Sequence, residues 1–207
     1  MLIKKAFFLF LVRPLVLIIS GVSLKGKENL PTTGPAILVA NHNSHLDTMV
    51  IMSLFSLKTL EKVRPIGAWD YFCNKPYKKW LSSNLIDLIA LKRRPSKADG
   101  HPFSEIYKAL DNGDIVLIFP EGSRGDPEVM KPFQMGIAHM AKDYPHIPVV
   151  PLSIYGAGKA LPKGEALFVP FVIDVHVGEA VYFHGESKEE YTKNLESLVH
   201  KLEEVRD

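Results

Sequence analysis

Ala36-Ile37-Leu38-Val39-Ala40 is an unbroken apolar run, and Asn41-His42-Asn43-Ser44-His45-Leu46-Asp47 follows it with only one apolar residue. A run that short and that apolar reads as a strand buried on both faces. Leu46 to Phe55 then reads as a helix. The same arrangement recurs at Ile115–Phe119, a strand closed by Pro120 and followed by Glu121-Gly122-Ser123-Arg124-Gly125. Leu88–Leu91, Val149–Tyr155 and Val172–Val177 extend the series, and Ala180–Phe183 reads as an edge strand. Between them, Ser104 to Leu110 is a helix stopped by Asn112-Gly113. Ser187-Lys188-Glu189-Glu190 has the form of a capping box. Behind it Tyr191, Leu195, Leu198, Val199, Leu202 and Val205 recur at helical spacing, a face to dock on a core, with the acidic residues read as a solvated face. The fold class expected is α/β, with a mostly parallel or mixed sheet covered by helices on both faces.

The chain has 207 residues, enough for one domain that buries ~70% of its unfolded surface. Hydrophobic residues at 46% and charged residues at 23% exclude a disordered or collagen-like chain. The single cysteine, Cys73, excludes a disulfide framework and a cysteine-based zinc site. The net charge of +2 conceals a split. Residues 1–97 carry 15 Lys/Arg against 5 Asp/Glu, and residues 98–207 carry 10 against 18. The basic half is polarised towards an acidic partner.

Residues 1–27 contain Lys4, Lys5, Arg13, Lys25 and Lys27 and no acid until Glu28. Two apolar runs, Ala6–Val12 and Leu15–Leu24, are split by Arg13-Pro14. A spanning helix would place that arginine mid-membrane at a cost of ~2.5–3.5 kcal/mol, beside a helix breaker. A signal peptide is disfavoured by the interrupted apolar core and the absence of a small-residue cleavage site. We therefore expect residues 1–27 to be a membrane-associated helical hairpin dipping into one leaflet, its basic flanks on anionic headgroups, with residues 28–207 forming the globular domain. The alternative is an N-terminal helix packed on the domain's own core.

In an open α/β sheet, ligands sit beyond the carboxyl ends of the strands, where both polar clusters fall. His42 and Asp47 are five residues apart and would not share a helix face. If His42 lies in the turn before the helix, with Asn43 or Ser44 as N-cap, the carboxylate of Asp47 reaches the imidazole. An Asp on one ring nitrogen fixes the tautomer and leaves the other nitrogen to take a proton as general base. The competing readings are a histidine that merely caps a helix, and a metal site of His42, His45 and Asp47. His45 itself reads as a surface residue. In the second cluster the backbone of Gly122-Ser123 and the Arg124 guanidinium suit an oxyanion or phosphate. It is not a nucleophile elbow, because Glu121 stands where glycine is needed. Nor is Gly156-Ala157-Gly158-Lys159-Ala160 a P-loop, because Ser153 and Ala160 stand where Gly and Ser/Thr are needed.

Together these residues resemble the 1-acyl-glycerol-3-phosphate (lysophosphatidic acid) acyltransferases, of the glycerolipid acyltransferase superfamily. Asn41, His42 and Asp47 match the first motif, and Phe119-Pro120-Glu121-Gly122-Ser123-Arg124 matches the third. Arg93, with Arg94 as its rival, stands at the end of the second, and Ile147-Pro148-Val149-Val150-Pro151 matches the fourth. The resemblance covers roughly residues 20 to 180. It implies a glycerol-3-phosphate acyltransferase-like fold and an O-acyltransferase of phospholipid biosynthesis that yields phosphatidic acid. In that scheme His42, steadied by Asp47, deprotonates the acceptor's free hydroxyl. The oxygen attacks the thioester of acyl-coenzyme A or an acyl-carrier protein. Arg93 and Arg124 bind the acceptor phosphate, while Glu121, Gly122 and Ser123 shape the pocket. No metal and no cofactor are implied. Many members carry lysine in the segment after the third motif, where this chain has Phe133-Gln134-Met135-Gly136; Gln134 supplies no charge, which leaves open another lysolipid acceptor.

Residues 58–97 hold 10 Lys/Arg against 3 acids. An anionic membrane, the acceptor phosphate, coenzyme A and an acidic carrier protein would all be drawn to them. Trp69, Tyr71, Tyr77 and Trp80 are interleaved there, but no nucleic-acid module accompanies them. The expected location is the cytoplasmic face of the inner membrane, peripheral or monotopic. The rival class is a non-catalytic lipid-binding protein.

Overall fold

The structure is a computed structural model and describes residues 2–16, 21–92, 100–123, 129–160 and 171–204. Seven strands occur among them: β1 (Val22–Lys25), β2 (Ala36–Ala40), β3 (Val63–Ala68), β4 (Ile89–Leu91), β5 (Ile115–Ile118), β6 (Val149–Tyr155) and β7 (Ile173–Val177). They form one sheet in the order β1-β7-β6-β2-β5-β3-β4. From β6 to β4 every neighbouring pair is parallel, whereas β7 runs antiparallel to β6 and β1 parallel to β7. The sheet is therefore mixed, as one of the two expected forms.

The uniformly apolar strands are sorted by the two-residue period of a strand. Ala36, Leu38 and Ala40 of β2, with Ile115 and Leu117 of β5, face one apolar cluster. Ile37 and Val39, with Val116 and Ile118, face the other. The helices are α1 (Leu2–Phe7), α2 (Leu46–Ser53), α3 (Leu57–Leu60), α4 (Trp69–Phe72), α5 (Pro76–Leu85), α6 (Ser104–Asp111), α7 (Gly136–Asp143), α8 (Ala157–Ala160) and α9 (Lys188–Glu204). Val50, Ile51 and Met52 of α2 and Leu60 of α3 fill the first cluster. The second is filled by α6, α7 and α9, the last through Tyr191, Leu195 and Val199. Ser187 caps α9, its hydroxyl accepting from the Glu190 N–H at 3.1 Å.

Three features depart from the sequence pattern. Ala180–Phe183 is reduced to a single bridge, Val149 with Val181, because β7 occupies that flank of β6 from Leu152 onwards. β3 was missed because Arg64, Pro65 and Gly67 break its pattern. Val63–Pro65 pair with β5 and Ile66–Ala68 with β4, so Pro65 has a strand neighbour on one side only and its missing N–H is tolerated.

The third concerns the N-terminus, where the described residues form one helical run docked on the domain. After α1 the backbone widens into a π-helical turn, Phe8–Val12, with the N–H of Arg13 donating to the Phe8 carbonyl. Pro14 lies just beyond and would crowd the carbonyl four residues back in a regular α-helix. Phe8, Val12 and Val16, spaced one turn apart, are buried in the first cluster. The cations expected on headgroups instead hold the domain: Lys4 Nζ donates to the Val63 carbonyl at 2.6 Å, Lys5 pairs with Glu61 at 2.7 Å, and Arg13 donates to the Phe55 carbonyl. Burial lowers the Lys4 ammonium to about 8. Val22–Lys25, inside the stretch assigned to the membrane, is strand β1. Leu2, Ile3, Phe10 and Leu11 stay exposed on the other side. Among the described residues no helix is long and apolar enough to cross a membrane.

Candidate active site

β2 and β5 are paired directly and in parallel, Val39 opposite Ile118. The loops after Ala40 and Ile118 therefore leave the sheet side by side, bringing together two clusters almost eighty residues apart in sequence. His42 lies in the turn before α2, and Asp47 is the second residue of that helix. Asp47 is fully buried, and its Oδ2 accepts three hydrogen bonds. They come from His42 Nδ1 at 2.8 Å, the Asn43 N–H at 2.7 Å and the Ser44 N–H at 2.8 Å. One carboxylate oxygen thus folds the turn and orients the imidazole. The N-cap position is held by His45 and not by Asn43 or Ser44, though the Ser44 hydroxyl accepts from the Leu46 N–H at 3.2 Å.

The His42 ring stacks on Phe119, centroids 4.1 Å apart and planes 20° from parallel. Its side chain is 18% exposed. With Nδ1 committed to Asp47, Nε2 is the nitrogen left for a substrate proton. Phe119 leads into the second cluster, where Gly122 has φ +72, a left-handed conformation that favours glycine.

Glu121 couples the two clusters. Its Oε1 accepts from the His42 N–H at 2.6 Å and its Oε2 from the Lys131 N–H at 2.9 Å. Burial raises this carboxyl above the usual range, and the two backbone donors oppose the rise. Lys131 Nζ also donates to Ser123 Oγ at 3.4 Å. The following segment is held by the Gln134 N–H on the Pro120 carbonyl at 2.8 Å and the Phe133 N–H on Glu196 of α9 at 2.7 Å. Glu196 is therefore more than part of a solvated face. Asn41 makes a second brace: its Nδ2 donates to the Ile154 carbonyl and its Oδ1 accepts from the Ile154 N–H, both at 2.8 Å. One buried amide so ties the end of β2 to β6.

Of the candidate site residues, His42, Asp47, Glu121, Gly122 and Ser123 converge here. Arg93, Arg94 and Arg124 lie outside the described residues. His45 is exposed, its Nε2 at 3.1 Å from the Tyr71 hydroxyl. Among the described residues no three His, Cys, Asp or Glu side chains converge as a metal site. The sequence reading missed the support roles of Phe119, Lys131 and Glu196. Phe119 was visible as the last position of an apolar run entering a polar turn, whereas Lys131 and Glu196 had no signal because their partners are remote.

The arrangement supplies an oriented proton acceptor beside a polar turn. A family model described as Acyltransferase matches residues 21–155. The chain is 29% identical over 148 residues to a chloroplastic 1-acyl-sn-glycerol-3-phosphate acyltransferase of Brassica napus, covering 69% of this chain and 39% of that protein. It is 25% identical over 199 residues to a lyso-ornithine lipid O-acyltransferase of Rhizobium meliloti, covering 82% of this chain and 65% of that one. It thus spans less than two thirds of the length of either relative. The crystal structure of a 1-acyl-sn-glycerophosphate (LPA) acyltransferase from Thermotoga maritima superposes with a TM-score of 0.74 at 26% identity. That match covers 98% of this chain and 78% of the other.

Proposed function

Because this chain belongs to the acyltransferase family, we propose that it transfers a fatty acyl group from a thioester to the free hydroxyl of 1-acyl-glycerol-3-phosphate, giving phosphatidic acid. The observation that carries this reading is the 2.8 Å contact between His42 Nδ1 and buried Asp47. His42 Nε2 takes the proton as the acceptor oxygen attacks the thioester carbonyl. The tetrahedral intermediate then collapses, the C–S bond breaks, and the thiolate leaves with the proton that the imidazolium returns. Asp47 stabilises the imidazolium between these steps. The acyl group moves directly, with no covalent enzyme intermediate, metal or cofactor in the scheme. Arg93 and Arg124 are assigned to the acceptor phosphate, Glu121, Gly122 and Ser123 to the pocket. The donor is acyl-coenzyme A or acyl-carrier protein, and the site of action is the cytoplasmic face of the membrane. Product analysis by mass spectrometry after incubation with lysophosphatidic acid and each donor tests reaction, acceptor and donor together. His42→Ala is expected to abolish product while leaving the melting temperature near that of the parent. Turnover retained in that variant refutes the mechanism.

A second reading keeps the chemistry and changes the acceptor to another lysolipid. It is supported by the neutral Gln134, whose backbone is fixed on the Pro120 carbonyl beside the turn, and by the similarity to the lyso-ornithine lipid enzyme. Relative kcat/KM across a panel of lysolipids decides between the two.

A further inference from the structure

Four exposed aromatic residues fall within twelve positions of the chain. Trp69 and Tyr71 of α4 are 44% and 40% exposed, and Tyr77 and Trp80 of α5 are 56% and 55% exposed. Tyr77, Trp80 and Leu81 lie three and four positions apart, on one helical face. An exposed apolar patch of this kind on a folded domain marks an interaction surface. Cations accompany the rings: Lys78 Nζ is 4.5 Å from the Tyr71 centroid, Lys92 Nζ 5.6 Å from that of Trp69, and Lys75 Nζ 6.0 Å from that of Tyr77. Lys79 is exposed beside them, and Asp70 is the sole acid in residues 69–85. α1, whose Leu2 and Ile3 are exposed, packs against α5.

We propose that the α4–α5 face docks on an anionic lipid bilayer, with Trp69, Tyr77 and Trp80 seated at the headgroup level and Lys75, Lys78 and Lys79 on the lipid phosphates. Indole and phenol rings have an apolar body and a polar tip, which suits the bilayer interface, and lysines between them complement anionic headgroups. The face adjoins the loop that carries the site: Tyr71 stacks on His45 with centroids 5.5 Å apart and bonds its Nε2, and His45 is the N-cap of α2, in the segment that links His42 to Asp47. Docking there would place the catalytic turn next to the membrane that holds the lysolipid. The proposal deepens the lysolipid reading but rests on this surface alone, so each can fail without the other.

The chain's two tryptophans, Trp69 and Trp80, belong to α4 and α5, so emission excited selectively in tryptophan reports on these two helices alone. The full chain is titrated with vesicles of phosphatidylcholine, or of phosphatidylcholine mixed with phosphatidylglycerol, some carrying acyl-chain-brominated lipid. Trp69→Phe and Trp80→Phe isolate each ring. Expected are a blue shift and bromine quenching at both positions with the anionic vesicles and little with the neutral ones. Combined Lys75→Ala and Lys79→Ala substitution is expected to weaken anionic-vesicle binding roughly 30-fold, from ~1 kcal/mol per cation. Turnover of detergent-dispersed lysolipid is expected to survive that substitution, which separates a failed membrane dock from a failed acyl transfer. Vesicle binding with no quenching at either tryptophan, equal quenching by neutral and anionic vesicles, or a shift produced by acyl-carrier protein instead of lipid would each overturn the proposal.

Discussion

Asp47→Asn isolates the charge of the pair while keeping its shape. The amide oxygen takes the place of Oδ2, where three donors converge, and the NH2 takes that of Oδ1, which has no partner among the described residues. The turn therefore survives and the formal charge is lost. A donor–acceptor contact of 2.8 Å puts the charge centres of carboxylate and imidazolium about 4 Å apart. At an effective dielectric of about 20 their attraction is ~4 kcal/mol. A transition state with the proton half transferred feels about half of this, ~2 kcal/mol, and a fully formed imidazolium all of it. The expected fall in kcat is then between ~30-fold and ~1,000-fold, with KM little changed because the neutral ground state gains least from the charge. Thiol release followed under saturating donor and lysolipid measures it, with near-ultraviolet circular dichroism confirming the native fold. The buried NH2 is expected to cost ~1–3 kcal/mol of stability, which a thermal melt reads separately. A folded Asp47→Asn protein with the kcat of the parent refutes the role of the carboxylate.

Glu121→Gln leaves one amide group facing two backbone donors, so either His42 or Lys131 loses its acceptor. We expect a loss of ~1–3 kcal/mol in urea unfolding and a lower kcat. Asn41→Ala strands both the N–H and the carbonyl of Ile154. It is expected to cost ~2–4 kcal/mol, lowering Tm by roughly 5–15 °C. The lowered Lys4 gives a pH dependence of definite sign. Between about 8 and the ordinary 10.5 the unfolded chain holds a proton that the native chain has released, so docking of α1 strengthens as pH rises through this window. Asp87, Asp114 and Glu61 attract the ammonium and Arg64 repels it. The rate of N-terminal proteolysis should fall across the window, and Lys4→Met should remove that fall.

How far the sequence discloses this molecule depends on whether a residue's partner is near in sequence. β2 and β5 are legible because strands buried on both faces need apolar residues at every position, and β6 departs from that rule only at Pro151 and Ser153 and at its last residue, Tyr155. The contact of His42 with Asp47 is legible because only five positions separate them, across the start of α2. β3 is hidden, since each half of it pairs with a different strand and so tolerates Arg64, Pro65 and Gly67. The N-terminal cations are ambiguous for a similar reason. Lys4 and Arg13 satisfy carbonyls 59 and 42 positions away, and a lysine bound to a carbonyl has the same local sequence as one bound to a lipid.

The braces around His42 share one logic. The proposed general base, His42, stands on a loop, and a loop on its own is too mobile to hold a proton-transfer geometry. Here the His42 turn is fixed from three directions: Asp47 from the helix that follows, Glu121 from the turn after β5, and Asn41 from β6. All three residues are buried. All three bind backbone groups, Glu121 and Asn41 through these bonds alone, so the geometry of the turn depends little on neighbouring side chains. Gln134 and Ser123, on the exposed rim of the same turn, can therefore change with the acceptor without disturbing the base. Acceptor choice should then be transferable by rim substitutions such as Gln134→Lys, read as a change in kcat/KM between lysophosphatidic acid and a zwitterionic lysolipid. Loss of turnover with both acceptors in a folded Gln134→Lys protein would show that rim and base are not separable.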